Sequence, residues 1–233
     1  GGCRLQRLVV LGQDGGEGLV QQLLQVLQAL LQRLGLLRSL RRRVGGFGAG
    51  SAAKIWQLAP AGARLLRADG LTHRTYEPSP RFLLHCLSVA DLHLAFRDLC
   101  RTTPELQSVD VQTEPVCWRR FTGRGGESLW LQPDLAATVR SAEFEDRWFC
   151  EVDLGSESMQ TLIKKCARYE AYRASGLEQE QHSVFPLVLW LFTDEQRIDK
   201  LRRLIARSPK LTPGLYRFAT PATAVQTLLR GGE

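Results

Sequence analysis

The sequence has no uninterrupted apolar run of about 18 residues, the length that a membrane-spanning helix requires, so no transmembrane segment is predicted. Its first residues lack the layout of a secretory signal peptide. None of its six cysteines forms a CxxC pair, which argues against a zinc site and against a disulfide scaffold in a chain of this length. These absences predict a cytoplasmic protein with reduced thiols and no membrane partner.

Positive charge is abundant but unevenly distributed along the chain. Residues 1–70 carry ten Lys and Arg residues against three Asp and Glu residues, whereas residues 71–233 carry 21 of each sign. The whole formal net charge of +7 therefore lies in the first third of the chain. Such an asymmetry predicts that this part contacts a polyanion, either nucleic acid or an anionic membrane surface.

The pattern of the first third predicts a helix followed by a basic hairpin and a second helix. Leucine and valine recur every three or four residues from Leu19 to Leu34, which is the apolar stripe of an amphipathic helix. Gly35 follows, and glycine is favoured at the position that ends a helix. Two short strands are predicted on either side of a glycine-rich tip, and the second helix begins at a proline; these segments are 36–44, 45–50, 54–58 and Pro60 onwards.

A helix, a basic hairpin and a further helix are the order of a winged helix, whose wing contacts DNA phosphates. The predicted phosphate contacts are the basic residues Arg33, Arg38, Arg41, Arg42, Arg43 and Lys54. A leucine-rich helix is also typical of a protein core or a dimer interface, so a protein–protein module that forms a homodimer through Leu19–Leu34 stays open. A membrane-surface helix is disfavoured because Arg33 is the only charge on a polar face that is mainly glutamine.

Residues 81–233 predict an α/β (α+β) domain with a mixed sheet covered by helices. A helix from Arg81 would place Leu84, Leu87, Leu94 and Leu99 on or near one face. Three segments with strand character follow, and after them a helix and a polar loop. The next strand is apolar on both faces, as a buried parallel strand is. A helix opened by a capping box and a last strand and helix complete the order. The predicted helix spans 156–175, and the polar loop extends to His182. The apolar strand is predicted at Val184–Phe192 and the capping box at Thr193–Gln196.

The residues that suit catalysis lie on two neighbouring strands and on the helix that follows them. Glu151 and Asp153 are two positions apart on a strand and therefore point to one face. Asp134 follows Pro133 on the neighbouring strand, and three carboxylates at a sheet end suit Mg²⁺. Lys165 on the helix would position the attacking water or offset phosphate charge. The alternative is structural, with the carboxylates capping helices and Lys165 serving as an ordinary ion-pair partner.

Several segments together resemble the bacterial replication-relaxation family of plasmids and other mobile elements. The resemblance runs from about Leu23 to Thr193. It is carried by "LLQRLGLLRSLRRR", "WQLAPAGARLL", "HCLSVADLHLAF", "PDLAATV", "CEVDLGSE" and "KCARYEAY". Its most specific part is Glu-x-Asp-x-Gly followed by a lysine and a tyrosine on the next helix, which here are Glu151, Asp153, Gly155, Lys165 and Tyr169.

The resemblance implies a winged-helix-like DNA-binding domain over residues 1–70 and a PD-(D/E)xK nuclease-like domain over residues 81–233. Its implied partners are double-stranded DNA and replication or conjugation proteins, and its implied cofactor is Mg²⁺. The implied site has Asp134 and Glu151 as metal ligands, Asp153 as a third ligand or an orienting acid, and Lys165 as the cation beside the water.

One position departs from the usual signature of this nuclease fold. A lysine normally stands two residues after the strand acid, and the residue there is Asp153. Two functions therefore stay open. In one, Lys165 replaces the missing lysine and the protein is a Mg²⁺-dependent DNA endonuclease. In the other, the nuclease fold is inactive and the protein is a non-enzymatic DNA-binding accessory factor or regulator.

Overall fold

The computed structural model describes residues 8–9, 18–40, 55–65 and 78–231, with side chains from residue 25 onwards. Four of the predicted DNA-binding residues, Arg41, Arg42, Arg43 and Lys54, lie outside the described residues, as does the glycine-rich tip at 45–50. None of the described helices has both the length and the apolar character needed to cross a lipid bilayer.

The described chain contains both helices and strands and has a five-stranded mixed sheet, which confirms the predicted mixed α/β class. The helices are α1 (Gly18–Arg33), α2 (Pro60–Leu65), α3 (Pro80–Thr102), α4 (Met159–Ser175), α5 (Leu177–His182), α6 (Glu195–Arg207) and α7 (Ala224–Arg230). The strands are β1 (Leu8–Val9), β2 (Leu37–Ser39), β3 (Trp56–Leu58), β4 (Leu106–Thr113), β5 (Arg119–Thr122), β6 (Ser128–Leu131), β7 (Leu135–Ser141), β8 (Glu145–Asp153), β9 (Leu187–Phe192) and β10 (Tyr216–Ala219). The chain divides into two compact units, Gly1–Leu87 and Ser88–Glu233, with the boundary inside α3.

The first unit contains a three-stranded antiparallel sheet in the order β1-β3-β2. The helix α1 precedes β2 and ends where the sequence predicts, because Gly35 adopts a φ of 65°, a left-handed conformation that costs glycine little. The amide of Gly35 donates to the carbonyl of Gln32 at 3.0 Å. The helix α2 begins at Pro60, as predicted.

The second unit is built on a five-stranded mixed sheet in the order β10-β9-β8-β7-β4. Strands β8, β9 and β10 are parallel, whereas β7 runs antiparallel to both of its neighbours. A separate antiparallel hairpin is formed by β5 and β6. The apolar segment that was predicted to be a buried parallel strand is β9, in which every residue from Val188 to Phe192 is buried.

One face of this sheet, α4 and α6 contribute to a single apolar core. Phe149 of β8 belongs to this core, and alternation along the strand gives Glu151 and Asp153 the same orientation. The sequence therefore carries two carboxylates into the same layer as buried aromatic and aliphatic side chains. The members of the core from the two helices and the neighbouring strand include Leu162, Cys166, Trp190, Ile198 and Leu201.

The structure corrects three details of the sequence interpretation. The polar segment after α4 is not a loop but contains the short helix α5. The cap of α6 is Asp194 rather than Thr193, since the Asp194 side chain accepts from the amide of Gln196 at 2.8 Å. In α3, Leu84 and Leu94 are exposed, and the buried face consists of Leu83, Cys86, Val89, Leu92, Phe96 and Leu99.

Candidate active site

Glu151 lies in the middle of the second unit and is almost entirely buried, with 2% of its surface exposed. It belongs to β8, between the antiparallel strand β7 and the parallel strand β9. In the strand register its neighbour on β9 is Trp190, which is itself fully buried. A carboxylate in such an apolar layer must be hydrogen-bonded or neutralised, because desolvation of an unpaired charge is costly.

Two side chains of α4 supply hydrogen-bond donors to Glu151. The Lys165 ammonium donates to Oε2 at 3.1 Å, and the Tyr169 hydroxyl donates to Oε1 at 2.6 Å. The two donors are four residues apart, so they lie on the same face of the helix. This is the face predicted from the spacing of Leu162, Lys165, Tyr169 and Tyr172, and the structure turns it toward β8.

Asp134 joins this cluster from the residue that precedes β7. Its backbone amide donates to the carbonyl of Cys150 at 3.0 Å, and its Oδ2 accepts from the amide of Val152 at 2.8 Å. These two bonds fix the carboxylate beside β8. Asp134 is buried, and its negative charge raises the pKa values of both Glu151 and Lys165. The structure therefore brings Asp134, Glu151 and Lys165 together, as predicted from the sequence.

Asp153 has a different environment. Its Oδ2 accepts from the guanidinium Nε of Arg197 at 2.5 Å, and its Oδ1 accepts from the amide of Gly155 at 3.1 Å. The same guanidinium donates to the backbone carbonyl of Glu157. Gly155 has a φ of 82°, a conformation that other residues rarely adopt. Asp153, Gly155 and Arg197 thus fix the turn between β8 and α4, which positions the first residues of α4.

The predicted set of three metal-binding carboxylates is not present as a ready-made site. Among the described residues, which include all three acids, no group of three His, Cys, Asp or Glu side chains lies close enough together to hold a metal ion. Asp153 is engaged by Arg197 instead. The carboxylates that remain as candidate ligands of a cation are Asp134 and Glu151. The usual ligands of Mg²⁺ are one or two carboxylates together with water and substrate phosphate.

Burial and neighbouring charge shift the pKa values of this cluster. Burial, reinforced by the Asp134 carboxylate and opposed by Lys165 and Tyr169, raises the pKa of Glu151 to about 7. Burial lowers the pKa of Lys165, but the carboxylates of Glu151, Asp134 and Glu157 outweigh it and raise that pKa above its ordinary value. Burial and Glu151 also raise the pKa of Tyr169 well above its ordinary value. Lys165 therefore stays charged, Tyr169 stays a neutral donor, and Glu151 titrates near neutral pH.

Lys165 is the partly exposed member of the cluster. About a third of the Lys165 side chain is exposed (36%), compared with 3% for Glu151. The ammonium also pairs with the Glu157 carboxylate at 3.0 Å, and it lies 5.9 Å from the centre of the Trp190 ring. Lys165 is therefore the most exposed of the three side chains, and the two carboxylates beside it are buried.

Arg197 and Glu157 take part in this site without having been singled out in the sequence. Arg197 lies 44 residues after Asp153, on a helix whose sequence pattern predicts only its cap and its apolar face. Glu157 precedes α4 and resembles an ordinary acidic residue of a turn. No local spacing relates either residue to the cluster, so only the packing of α6 against α4 and β9 reveals them.

Two predicted DNA-binding residues lie in the described part of the first unit. Arg33 is exposed in the last turn of α1. Arg38 of β2 donates from Nη2 to Oε1 of Gln57 on β3 at 2.9 Å. The alternative prediction is a homodimer that forms through the apolar stripe Leu19–Leu34. Four residues of this stripe, on α1 and just after it, are exposed: Val26, Leu27, Leu30 and Leu34. DNA contact and dimerisation both stay predictions.

The fold and the site together define an α/β protein with a candidate ion or phosphate site. In this site, a lysine and a tyrosine of the following helix hold a buried carboxylate of the mixed sheet. The model of the replication-relaxation family matches residues 6–188. Because this match covers most of the chain, the protein belongs to the replication-relaxation family, as the sequence motifs predicted. No curated protein and no solved structure matches the chain.

Proposed function

We propose that this protein binds double-stranded DNA in the replication or mobilisation of a plasmid or another mobile element, and that its second unit hydrolyses phosphodiester bonds with Mg²⁺. Family membership supports the link to replication. The observation that carries the hydrolytic part is the cluster of Asp134, Glu151 and Lys165, in which two buried carboxylates lie beside a lysine whose side chain is partly exposed. Strongly perturbed titratable groups of this kind are typical of functional sites.

Two carboxylates fit Mg²⁺ in this proposal. Asp134 and Glu151 would hold the ion, since their oxygens are the hard ligands that it prefers. Although both oxygens of Glu151 accept hydrogen bonds, each carboxylate oxygen has a second lone pair, so neither Lys165 nor Tyr169 has to leave. When bound, the ion would stabilise the negative charge that develops on the phosphate in the transition state.

The protein residues have separate roles in this mechanism. Lys165 is the group that a substrate phosphate meets, and its positive charge offsets the charge on the non-bridging oxygens. Tyr169 holds Glu151 in one orientation through the 2.6 Å hydrogen bond. Asp153 acts as the orienting acid rather than as a third ligand, because Arg197 engages it and both residues fix the turn before α4.

The first unit would grip DNA mainly through phosphates. Support comes from the net charge of residues 1–70 and from the arrangement of α1 and α2 around a three-stranded antiparallel sheet, which suits a winged helix. Binding of this kind weakens steeply with salt because counterions are released from the DNA. Reversal of the charges of Arg41, Arg42 and Arg43 should therefore lower the affinity for duplex DNA, and an unchanged affinity would exclude this wing as the contact.

Cleavage is tested with supercoiled plasmid in the presence and absence of Mg²⁺. The proposal predicts nicked or linear product that requires the metal and is lost in Glu151→Gln and in Asp134→Asn. The matched control is Glu180→Gln, a change of the same type at an exposed position on α5. An intact plasmid with the wild-type protein, or equal cleavage by Glu151→Gln, would overturn the hydrolytic part of the proposal.

A second candidate function is that of a non-enzymatic DNA-binding accessory factor. The observation that favours it is the completeness of the internal bonding, because both oxygens of Glu151 already have donors from α4 and little of the side chain reaches solvent. This function predicts DNA binding that needs no metal and tolerates Glu151→Gln. The plasmid experiment, combined with a duplex-binding titration of the same proteins, separates the two functions.

A further inference from the structure

A polar cavity lies in the second unit, and none of its lining residues belongs to the Glu151 cluster. Its volume is about 360 Å³. Its walls come from the turn between β5 and β6, from the C-terminal half of α4, from α5 and from the segment after α6. The lining residues are Arg124, Glu170, Arg173, Ala174, Gln179 and Lys210.

The lining is positively charged, with three cationic side chains and a single carboxylate. The carboxylate, Glu170, is already engaged: its Oε1 accepts from the amide of Thr212 at 2.6 Å and its Oε2 accepts from Arg173 at 3.1 Å. Arg124 and Lys210 are exposed, and neither forms an ion pair or a side-chain hydrogen bond with any residue in the described part of the chain. The cavity therefore has cationic donors available for an anion.

Gln179 adds a second kind of group to the cavity. Its amide nitrogen donates to the carbonyl of Arg173 at 3.0 Å, which fixes the orientation of the side chain. Its Oε1 is buried and accepts no hydrogen bond from any described residue. A buried acceptor without a donor is uncommon in folded proteins. A ligand that carries a hydrogen-bond donor near its anionic group would satisfy both features, and the amino groups of DNA bases are such donors.

We propose that this cavity binds a phosphodiester group of a nucleic acid strand, an inference that rests on the proposed DNA binding. Arg173 lies eight residues after Lys165 on α4, which corresponds to about 12 Å along the helix axis. Successive phosphates of one DNA strand are about 3.4 Å apart along the duplex axis. If the duplex axis runs parallel to α4, this distance corresponds to about three or four nucleotide steps between a phosphate in the cavity and a phosphate near Lys165.

The first test is protection of lysines from amine acylation, read by mass spectrometry on the unmodified full chain. The sequence contains only five lysines, Lys54, Lys164, Lys165, Lys200 and Lys210. The proposal predicts that a short DNA duplex protects Lys210 and not Lys200, which is exposed on α6. No protection of Lys210 by DNA overturns the proposal. Protection by inorganic phosphate and not by DNA also overturns it, because the cavity would then take a small phosphate rather than a nucleic acid strand.

The second test is the salt dependence of duplex binding by the double variant Arg124→Glu, Lys210→Glu. Loss of one phosphate contact should weaken binding several-fold and reduce the slope of log affinity against log salt by about 0.9. The matched control is Lys200→Glu, Arg230→Glu, which makes the same charge change at two exposed positions. Equal slopes for the two double variants would overturn the proposal.

Failure of this inference is distinguishable from failure of the proposed function. If Glu151→Gln cleaves plasmid as well as the wild-type protein does, the hydrolytic proposal fails while DNA protection of Lys210 still supports the cavity. If cleavage depends on Glu151 but Lys210 is unprotected, the cavity assignment alone fails. A protein that does not bind DNA at all overturns both.

Discussion

Removal of the Tyr169 hydroxyl is the sharpest perturbation of the Glu151 cluster. Tyr169→Phe deletes one oxygen atom and leaves the ring that packs in the core, where Phe149 lies 5.8 Å away, centre to centre. The deleted hydroxyl donates to Glu151 at 2.6 Å. This bond favours the ionised carboxylate and so lowers the pKa of Glu151. In the variant, the pKa of Glu151 should therefore rise further above its already raised value of about 7.

The magnitude follows from the difference between charged and neutral hydrogen bonds. A hydrogen bond to a charged acceptor contributes about 1.5–3 kcal/mol, and a neutral one contributes about 0.5–1.5 kcal/mol. The variant should therefore lose about 1 kcal/mol more in the ionised state than in the protonated state. Because a change of 1 in pKa corresponds to about 1.4 kcal/mol, the pKa of Glu151 should rise by a little less than about 1.

The sign of the pH dependence follows from the raised pKa. The folded protein binds the Glu151 proton more tightly than the unfolded chain, whose value is near the ordinary 4.5. The contribution of the Glu151 carboxyl to folding stability is therefore fully present below about pH 4.5, and it is lost as the pH rises through about 7. In Tyr169→Phe the loss continues to higher pH, so the variant should be more strongly destabilised near pH 9 than near pH 5, by about 1 kcal/mol.

Urea unfolding of wild type and variant across this pH range measures the effect. Tyr172→Phe is the matched control, because the Tyr172 hydroxyl donates at 3.0 Å to a different buried carboxylate, that of Glu178. The control should lose stability without the added loss that Tyr169→Phe shows at high pH. A destabilisation of Tyr169→Phe that is the same at both ends of the range would refute the coupling between Tyr169 and the ionisation of Glu151.

Three further changes test the remaining contacts. Lys165→Met removes the cation beside Glu151 and should lower the free energy of unfolding in urea by about 1–3 kcal/mol above pH 7. Solvent screening should reduce this loss, because part of Lys165 is exposed. The control Lys164→Met, at an exposed neighbouring position, should change the free energy of unfolding by less than about 0.5 kcal/mol. Arg197→Ala leaves Asp153 buried without its cation and should cost about 3–5 kcal/mol in the same measurement. Asp153→Asn should leave the Mg²⁺ affinity measured by calorimetry near that of wild type, and a loss as large as that of Glu151→Gln would make Asp153 a ligand.

The centre of the candidate site could be predicted because local periodicity determines it. Two residues on one strand face, and two residues four apart on one helix face, keep their relation wherever the elements pack. This is why Lys165 and Tyr169 share the helix face that their spacing predicts, and in the structure both of them donate hydrogen bonds to Glu151. Asp134 was placed from the Pro-Asp pair on the neighbouring strand, and its bond to the amide of Val152 fixes it there.

The environment of Asp153 could not be predicted from the same pattern. Its position two residues after Glu151 gives the correct face of the sheet, but its partner is on α6, 44 residues away. An acid that receives a guanidinium and an acid that is accessible to a metal look identical in the sequence. The packing of α6 against α4 decides between the two environments, and that packing depends on contacts that are distant in the chain.

The fold was predictable wherever one face of an element is clearly apolar. Strand β9 is apolar throughout and is buried as predicted. The helix α3 has apolar residues on most of its sides, so periodicity alone does not select its buried face, and Leu84 and Leu94 prove to be exposed. The strand character around residues 106–121 is interrupted after Thr113, and Arg119 begins the separate β5–β6 hairpin. Pro115, which lacks an amide donor for a strand ladder, lies in that interruption.

A calorimetric titration with Mg²⁺ tests most directly whether the Glu151 cluster is an active site. It compares the wild-type protein with Glu151→Gln and with the control Glu180→Gln, each in the presence of a short duplex whose backbone resists hydrolysis, so that binding is measured without turnover. The account predicts one binding event in the wild type and in Glu180→Gln that is absent in Glu151→Gln. Binding that is the same in all three proteins, or absent from all three, would show that Asp134 and Glu151 form a sealed structural ion cluster rather than a metal-dependent nuclease site.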